Sequence, residues 1–230
     1  MKTLFLIPAR GGSKGIPDKN IRSMAGRPLI YYTLDVARSL SEIGEIFVST
    51  DSATIKKVVE AYGLEVPILR PNELATDTAS SEAVISHVLD FYKSKGKRFD
   101  QLVLLQPTSP LRKATHLKEA LALFDGSVDM VVSVTSSKSN PYFNLFEENK
   151  DGFLQKSKPH SFVNRQEVPQ VYRYNGAIYV INVSAFEKKG LSNFTLVKKY
   201  EMDEEFSIDI DTKFDWEICE YLIERNEKHG

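Results

Sequence analysis

The sequence predicts an α/β fold with a mostly parallel central sheet and helices on both faces of that sheet. Short apolar runs alternate with segments in which apolar residues recur at helical spacing. The run at 102–105 is continuously apolar, as expected for a strand that is covered on both faces. Several strand and helix alternations precede residue 135, and this is the pattern of a layered sheet with crossover helices.

The elements of this first part are expected in a regular order. Strands are predicted at 3–7, 46–48, 66–69, 102–105 and 130–134. Helices are predicted at 28–40, 55–62 and 80–92, with a further helix around Leu117, Leu121 and Phe124. Ser80 or Ser81 is the expected cap of the third of these helices.

The pattern changes after Thr135. The stretch 136–170 is rich in polar and turn residues, which favours hairpin and loop over helix. Strands are expected again at 176–181 and 206–210, followed by a closing helix from about 212 to 225. We therefore predict one domain over 1–230, with an insertion at about 136–170.

Composition restricts the partners and the compartment. The chain has 30 basic and 31 acidic residues, which argues against nucleic acid as a partner because such binding needs a net basic surface. No segment reaches the roughly 20 apolar residues that span a bilayer, so no membrane partner is expected. Cys219 is the single cysteine, which excludes an intramolecular disulfide and favours the cytoplasm.

A loop rich in glycine and cations follows the first predicted strand. It contains Arg10, Gly11, Gly12, Ser13, Lys14 and Gly15, and Lys19 and Asn20 come soon after. Adjacent glycines let backbone N–H groups approach an anion, and three cations can neutralise a triphosphate. The spacing matches neither a Walker A motif nor a G-x-G-x-x-G motif. The position at the carboxyl end of a parallel strand favours ligand binding over a solvated turn.

A second candidate segment, 106–112, closes the apolar strand at 102–105. Pro107 and Pro110 stiffen the turn, and the polar side chains of Gln106, Thr108 and Ser109 lie at the same sheet edge. A loop that serves only to turn the chain is the alternative.

Two aspartates separated by one residue form the third candidate. On a strand at 206–210, Asp209 and Asp211 would share a face while Ile210 points into the sheet. Paired carboxylates suit Mg²⁺, a hard cation that prefers oxygen ligands. An ordinary half-exposed strand has the same alternation, so the pattern alone does not decide.

The fourth candidate is the stretch 165–179, which contains Arg165 and Arg173. Arginine binds carboxylates through two parallel hydrogen bonds, so these residues suit an acidic substrate. Salt bridges that stabilise the insertion are the alternative.

A resemblance to a known family rests on seven stretches in the same order along the chain. They are 7–15, 19–20, 49–51, 70–75, 105–112, 175–179 and 207–211. Together they resemble the acylneuraminate cytidylyltransferases, also called CMP-sialic acid synthetases. The resemblance implies a three-layer Rossmann-like nucleotidyltransferase fold. It also implies a reaction in which CTP and a nonulosonic acid give the CMP-sugar and diphosphate, by in-line attack of the anomeric hydroxyl on the α-phosphate.

The resemblance also implies residue roles. The CTP-binding residues would be Arg10, Gly11, Gly12, Ser13, Lys14, Lys19, Asn20, Arg70 and Ser81. The sugar-binding residues would be Gln106, Arg165, Asn175 and Tyr179, with Arg165 binding the carboxylate. Asp209 and Asp211 would hold Mg²⁺, and with Arg10 and Lys19 they would form the catalytic set, Lys19 being nearest the reacting phosphate. The region 136–170 would form a homodimer in which each subunit closes its neighbour's sugar pocket.

Alternatives remain open at this point. A 3-deoxy-manno-octulosonate cytidylyltransferase would use a smaller sugar acid, and a non-catalytic homologue would bind the nucleotide without turnover. Sialic-acid-specific bacterial members carry a lysine where this chain has Phe143. An aromatic side chain there suits a legionaminic- or pseudaminic-type acid, or it packs in the dimer.

Overall fold

A computed structural model describes residues 1–13, 15–76, 78–159, 162 and 164–229, without the side chains of Arg165, Glu227 and His229. Its strands are β1 (Thr3–Pro8), β2 (Ser23–Met24), β3 (Arg27–Pro28), β4 (Gly44–Ser49), β5 (Gln101–Leu104), β6 (Met130–Ser136), β7 (Phe146–Glu148), β8 (Leu154–Lys156), β9 (Tyr172–Asn182) and β10 (Val197–Glu201). Its α-helices are α1 (Leu29–Arg38), α2 (Ala53–Ala61), α3 (Ser81–Ser94), α4 (Ala114–Ala122), α5 (Val183–Lys189) and α6 (Lys213–His229).

The central sheet has six strands in the order β10-β6-β9-β5-β1-β4. The pairs β1–β4, β1–β5 and β6–β10 are parallel, and β9 runs antiparallel between β5 and β6. Because β9 is reversed, its first residues lie beside the carboxyl end of β6, where Tyr174 pairs with Val134. The start of β9 therefore reaches the same edge at which β1 and β5 end.

Helices cover both faces of this sheet. In β1, Phe5 and Ile7 pack with α1, α2 and α4, while Leu4 and Leu6 pack with α3 and α5 on the opposite face. All four of these side chains are fully buried, because alternate residues of a strand point to opposite faces. The three-layer α/β prediction is confirmed.

A third apolar cluster attaches α6 to the sheet edge. Trp216 and Cys219 of α6 pack with Ile16, Met24 and Ile210. This cluster joins the end of the glycine-rich loop, the small β2–β3 hairpin and the segment that carries the two aspartates. Residues far apart in the sequence are therefore brought to one place.

Two predicted strands are wrong, and one strand of the central sheet was missed, as were the two-residue strands β2 and β3 outside it. The segment 66–69 forms no ladder, and Pro67 within it has no N–H to donate to one. The segment 206–210 is also irregular, and Ile210 makes a single backbone bond to the Thr108 carbonyl (2.9 Å). The missed strand, β10, is an edge strand with few buried side chains, so it lacks the apolar signal of a core strand.

The prediction of hairpin and loop at 136–170 is confirmed, since β7 and β8 pair as a separate two-stranded sheet. Within the described residues, no helix has the length and apolar character needed to cross a membrane. The single-domain organisation and the cytoplasmic location stay predictions.

Candidate active site

A cleft of about 340 Å³ lies at the carboxyl edge of β1 and β5. It is lined by Pro8, Arg10, Ser13, Gly15, Lys19, Asn20, Arg70, Gln106, Pro107, Thr108 and Asp211. The lining draws on the glycine-rich loop, the segment 106–112 and the aspartate segment. The structure therefore brings three separately predicted motifs together, and we call this space the first cleft.

The glycine-rich loop is held against the end of β4. The Gly11 N–H donates to Asp51 Oδ1 (2.9 Å), and a Cβ at Gly11 would lie 3.3 Å from Ser52 Cβ. Glycine at position 11 thus permits close packing on β4, and its N–H binds Asp51 rather than pointing at an anion. Gly12 has a φ of +64°, which favours glycine at the turn. Lys14 lies outside the described residues.

Lys19 connects the loop to the aspartate segment. Its ammonium donates to the Ile210 carbonyl and lies 3.7 Å from Asp211 Oδ1. Asn20 fixes the loop from within, because its side-chain amide donates to the Arg10 carbonyl (2.9 Å). The loop approaches so closely that a Cβ at Gly15 would be 2.7 Å from the Asp211 carbonyl oxygen.

Arg70 places a buried cation beside the loop. It is 6% exposed, and its Nη2 lies 3.8 Å from Asp51 Oδ1. Burial lowers the pKa of Arg70, Asp51 raises it and Arg10 lowers it further. Nε and Nη2 have no hydrogen-bond partner among the described residues. A buried guanidinium with unused donors is suited to an anionic or acceptor-rich ligand.

Asp209 is half-buried between the loop after β5 and the start of β9. Its Oδ1 is buried with no hydrogen-bond partner among the described residues. Burial raises the pKa of Asp209, a hydrogen bond from Thr108 lowers it, and the Asp211 carboxylate raises it again. Gly176 leaves room for this side chain, since a Cβ there would be 2.9 Å from Asp209 Oδ2.

The two aspartates fit a divalent cation. They supply a buried, unpartnered oxygen and a carboxylate, Asp211, whose side chain is 79% exposed. The described residues contain no group of three or more His, Cys, Asp or Glu arranged to hold a metal ion. Mg²⁺ commonly takes one or two carboxylates and completes its shell with phosphate oxygens and water, so two aspartates are sufficient.

A second cleft, of about 790 Å³, adjoins the first. It is lined by Arg173, Tyr174, Asn175, Glu204, Glu205, Ser207, Ile208, Asp209, Asp211, Asp215 and Ile218. Asp211 lines both clefts, so this residue lies at the boundary between them.

The residues predicted to bind sugar fall into different settings. Gln106 lines the first cleft. Tyr179 is half-buried in β9, and its pKa is raised by burial and by the nearby Asp209 carboxylate. The side chain of Arg165 lies outside the described residues. Ser81, predicted to bind CTP, is exposed in the first turn of α3 and is not among the residues lining either cleft.

Asn175, predicted to contact the sugar, lines the second cleft, but its side-chain amide is hydrogen-bonded inside the protein. It is 2% exposed, and its amide oxygen accepts from Ser133 Oγ (2.6 Å) and the Ala177 N–H (3.2 Å). Its amide nitrogen donates to Ser207 Oγ (2.9 Å). Because both ends of the amide are used inside the protein, the geometry favours a role in holding β9 to the segment after Met202.

Arg112 is a buried residue with a structural part in the site. Its guanidinium donates to the Ala177 carbonyl (2.6 Å), the Gln106 carbonyl (3.3 Å) and Thr33 Oγ1 (2.7 Å). Burial lowers the pKa of Arg112 to about 9. These bonds fix the loop after β5 against β9.

The sequence interpretation included 49–51 in the family resemblance but gave Asp51 no role, and it did not single out Asp215. Asp51 follows β4 at the same sheet edge and accepts the Gly11 N–H, and Asp215 accepts the Asp211 N–H (3.1 Å). The position of Asp51 after a predicted strand, and of Asp215 in the first turn of the closing helix, were the available signals.

A larger cavity, of about 850 Å³, lies elsewhere, between α3 and α5. Its lining mixes carboxylates with lysines such as Lys189, which is already paired with Asp129 (2.8 Å). None of the predicted site residues lines it. We place the site in the two adjoining clefts because of the residues that line them, although the cavity between α3 and α5 is larger.

Comparison with known proteins gives the family. Residues 4–228 match the family model described as Cytidylyltransferase. The chain is 35% identical over 219 residues to the N-acylneuraminate cytidylyltransferase of Streptococcus agalactiae serotype III. The aligned residues cover 94% of this chain and 52% of that protein. It is 36% identical over 233 residues to the CMP-N,N'-diacetyllegionaminic acid synthase of Legionella pneumophila, covering 99% of both chains. The chain thus spans about half the length of the Streptococcus relative and nearly all of the Legionella relative.

A solved structure supports the fold. CMP:2-keto-3-deoxy-manno-octonic acid synthetase complexed with CTP superimposes with a TM-score of 0.74, covering 98% of this chain and 100% of that one. Its sequence identity is 17%, so the likeness concerns the fold alone. With the family match over almost the whole length, the chain belongs to the cytidylyltransferase family.

Proposed function

We propose that this chain transfers CMP from CTP to a nonulosonic acid, releasing diphosphate. The anomeric hydroxyl of the sugar acid attacks the α-phosphate in line. The observation that carries the proposal is the shared position of Asp211, which lines a cation-rich cleft on one side and a second cleft on the other. Two substrates that react with each other need such adjoining sites.

The first cleft takes the nucleotide. Arg10, Lys19 and Arg70 place positive charge around the triphosphate, and Ser13 and Asn20 line the same space. Fixed cations stabilise the charge that develops on phosphate oxygens without having to reorganise during the reaction. Lys19 is already oriented by the Ile210 carbonyl, so it is our choice for the cation nearest the reacting phosphate.

Asp209 and Asp211 would hold Mg²⁺. When bound, the ion neutralises charge on the phosphate oxygens of CTP. Asp211 would hold it from the boundary between the clefts, and Asp209 from the second cleft. A bound cation would give the buried Oδ1 of Asp209 a partner, which would remove the cost of leaving it unpaired.

The second cleft takes the sugar acid. Arg173 and Tyr174 line it, Tyr179 contacts Tyr174 edge-to-face (6.2 Å between ring centroids), and Gln106 lines the adjoining first cleft. From the family resemblance, Arg165 binds the sugar carboxylate. The names of the relatives support an N-acylneuraminic or an N,N'-diacetyllegionaminic acid as the type of substrate.

The insertion would form a homodimer. Several large apolar side chains in or next to it are exposed: Phe143, Leu145, Phe146, Phe153, Leu154, Phe162, Tyr172 and Tyr174. Phe153 is 70% exposed and Leu154 is 72% exposed. Contiguous exposed apolar surface of this kind typically marks an interface. A second copy of this chain is the partner that the family resemblance favours.

Diphosphate release tests the function. The assay uses CTP and Mg²⁺ with N-acetylneuraminic, 2-keto-3-deoxynonulosonic, legionaminic, pseudaminic and 3-deoxy-manno-octulosonic acids, and with ATP, GTP and UTP as control nucleotides. We expect release with CTP and a nine-carbon acid. Release only with the eight-carbon acid would favour the octulosonate alternative, and CTP binding without any release would favour the non-catalytic homologue.

A further inference from the structure

Asp211 carries an exposed side chain on a segment that has no strand partner. Its carboxylate is 79% exposed, and residues 207–211 form neither helix nor ladder. A side chain that must meet a metal ion at a defined place needs a fixed backbone beneath it. The question is what fixes this backbone.

Contacts on the cleft side hold the residues around Asp211. The Ile210 N–H donates to the Thr108 carbonyl (2.9 Å), and Lys19 binds the Ile210 carbonyl. The Asp211 carbonyl packs so closely on Gly15 that a Cβ there would be 2.7 Å away. Of the backbone groups of Ile210 and Asp211, the Asp211 N–H is the one that these cleft-side contacts do not hold.

Asp215 holds that N–H from the first turn of α6. One oxygen, Oδ2, accepts from the Asp211 N–H (3.1 Å), the Thr212 N–H (2.7 Å) and Thr212 Oγ1 (2.7 Å). Thr212 Oγ1 in turn accepts the Asp215 N–H (3.2 Å). The reciprocal bonds with Thr212 form a capping box at the helix start. The bond to Asp211 reaches one residue further and is not needed for capping.

The helix under Asp215 is itself anchored. Trp216 and Cys219 are buried in the cluster that contains Ile210, so α6 cannot move independently of the aspartate segment.

We propose that Asp215 is a positioning residue for the metal-binding carboxylate of Asp211, acting through the Asp211 N–H. The inference rests on the proposed function, because it assumes that Asp211 holds Mg²⁺. It assigns Asp215 a task beyond starting a helix: it sets where the Asp211 carboxylate lies between the two clefts.

Metal binding and helix stability separate these two tasks. Mn²⁺ binding in the presence of CTP is followed by electron paramagnetic resonance, and thermal unfolding is measured on the same samples. The variants are Asp215→Ala, Asp215→Asn, Thr212→Ala and Asp211→Ala. Thr212→Ala is the matched control, since it removes the capping hydroxyl but leaves the bond between Asp215 and the Asp211 N–H.

We expect Asp215→Ala to weaken Mn²⁺ binding by about 10- to 100-fold, as is usual when a group that orients a metal ligand is removed. Thr212→Ala should lower Tm by about 2–4 °C and leave Mn²⁺ binding near the wild-type value. Asp215→Asn keeps an oxygen that can accept from Asp211, so it should fold and restore most of the affinity.

Four results would overturn the inference. Unchanged Mn²⁺ binding in Asp215→Ala, or equal weakening in Thr212→Ala, would leave Asp215 a helix cap only. Two further results would show that the charge of Asp215 matters and not its hydrogen bond to Asp211. In the first, Asp215→Asn binds Mn²⁺ as poorly as Asp215→Ala. In the second, Asp215→Ala does not fold and Asp215→Asn binds Mn²⁺ poorly. Unchanged binding in Asp211→Ala would instead contradict the proposed metal site itself.

Discussion

The first cleft and the insertion at 136–170 differ in how completely one chain builds them. In the cleft, the glycine-rich loop, Asp51 after β4, the aspartate segment and Asp215 of α6 are joined by hydrogen bonds. In the insertion, a short hairpin leaves large apolar side chains in contact with solvent. This difference fits our proposal that one chain binds the nucleotide and that a second copy completes the sugar side.

Loss of Asp211 should have the largest effect on turnover. Because the side chain is exposed, Asp211→Ala should fold with an unchanged Tm. A metal ion contributes several kcal/mol to charge stabilisation, so diphosphate release should fall at least about 100-fold. Asp90→Ala, at an exposed position on α3, is the control and should keep full activity. Retained activity of Asp211→Ala at saturating Mg²⁺ would contradict the assignment.

Loss of the buried cation should have the next largest effect, and it should fall on CTP. Arg70→Met keeps much of the buried volume but removes the guanidinium donors. Hydrogen bonds to charged groups contribute about 1.5–3 kcal/mol, so the Kd for CTP should rise roughly 10- to 100-fold. Calorimetric titration measures this, with Arg38→Met on the surface of α1 as the control. An unchanged CTP affinity would place the nucleotide elsewhere.

A substitution in the insertion should have the smallest effect on the first cleft, because it should leave CTP binding unchanged. Leu154→Asp puts a charge on the exposed face of the hairpin and should convert dimers to monomers in light scattering. The KM for the sugar acid should rise while the Kd for CTP stays the same. Lys150→Asp, in the turn of the same hairpin, is the control. A raised Kd for CTP in Leu154→Asp would mean that the two regions are not separate.

Core elements were predictable from the sequence because they combine apolar runs with turn signals. The strands at 3–7 and 102–105 are buried on both faces, so apolar residues occupy nearly all of their positions. The edge strand β10 was missed because Lys198 and Lys199 are exposed there. The segment 206–210 alternates polar and apolar residues as a strand does. This alternation reflects which side chains are buried and not whether the backbone pairs, so the sequence did not show that the segment forms no ladder.

The motifs of the site were predictable, but their internal partners were not. Arg10, Lys19 and Asp211 stood out by residue type and position, and they line one cleft. The positions of Asp51 and Asp215 were visible in the sequence, but their acceptance of the Gly11 and Asp211 N–H groups was not. The bonds that bury the Asn175 amide could not be predicted either, because Ser133 and Ser207 are distant in sequence.

Hydrogen–deuterium exchange with and without CTP and Mg²⁺ tests the central claim most directly, because it reports every region of the chain at once. Protection should concentrate in 9–20, around Arg70, in 106–112 and in 209–215, and the hairpin at 146–156 should exchange at an unchanged rate. Protection confined to the larger cavity between α3 and α5, with none in the glycine-rich loop, would contradict the account.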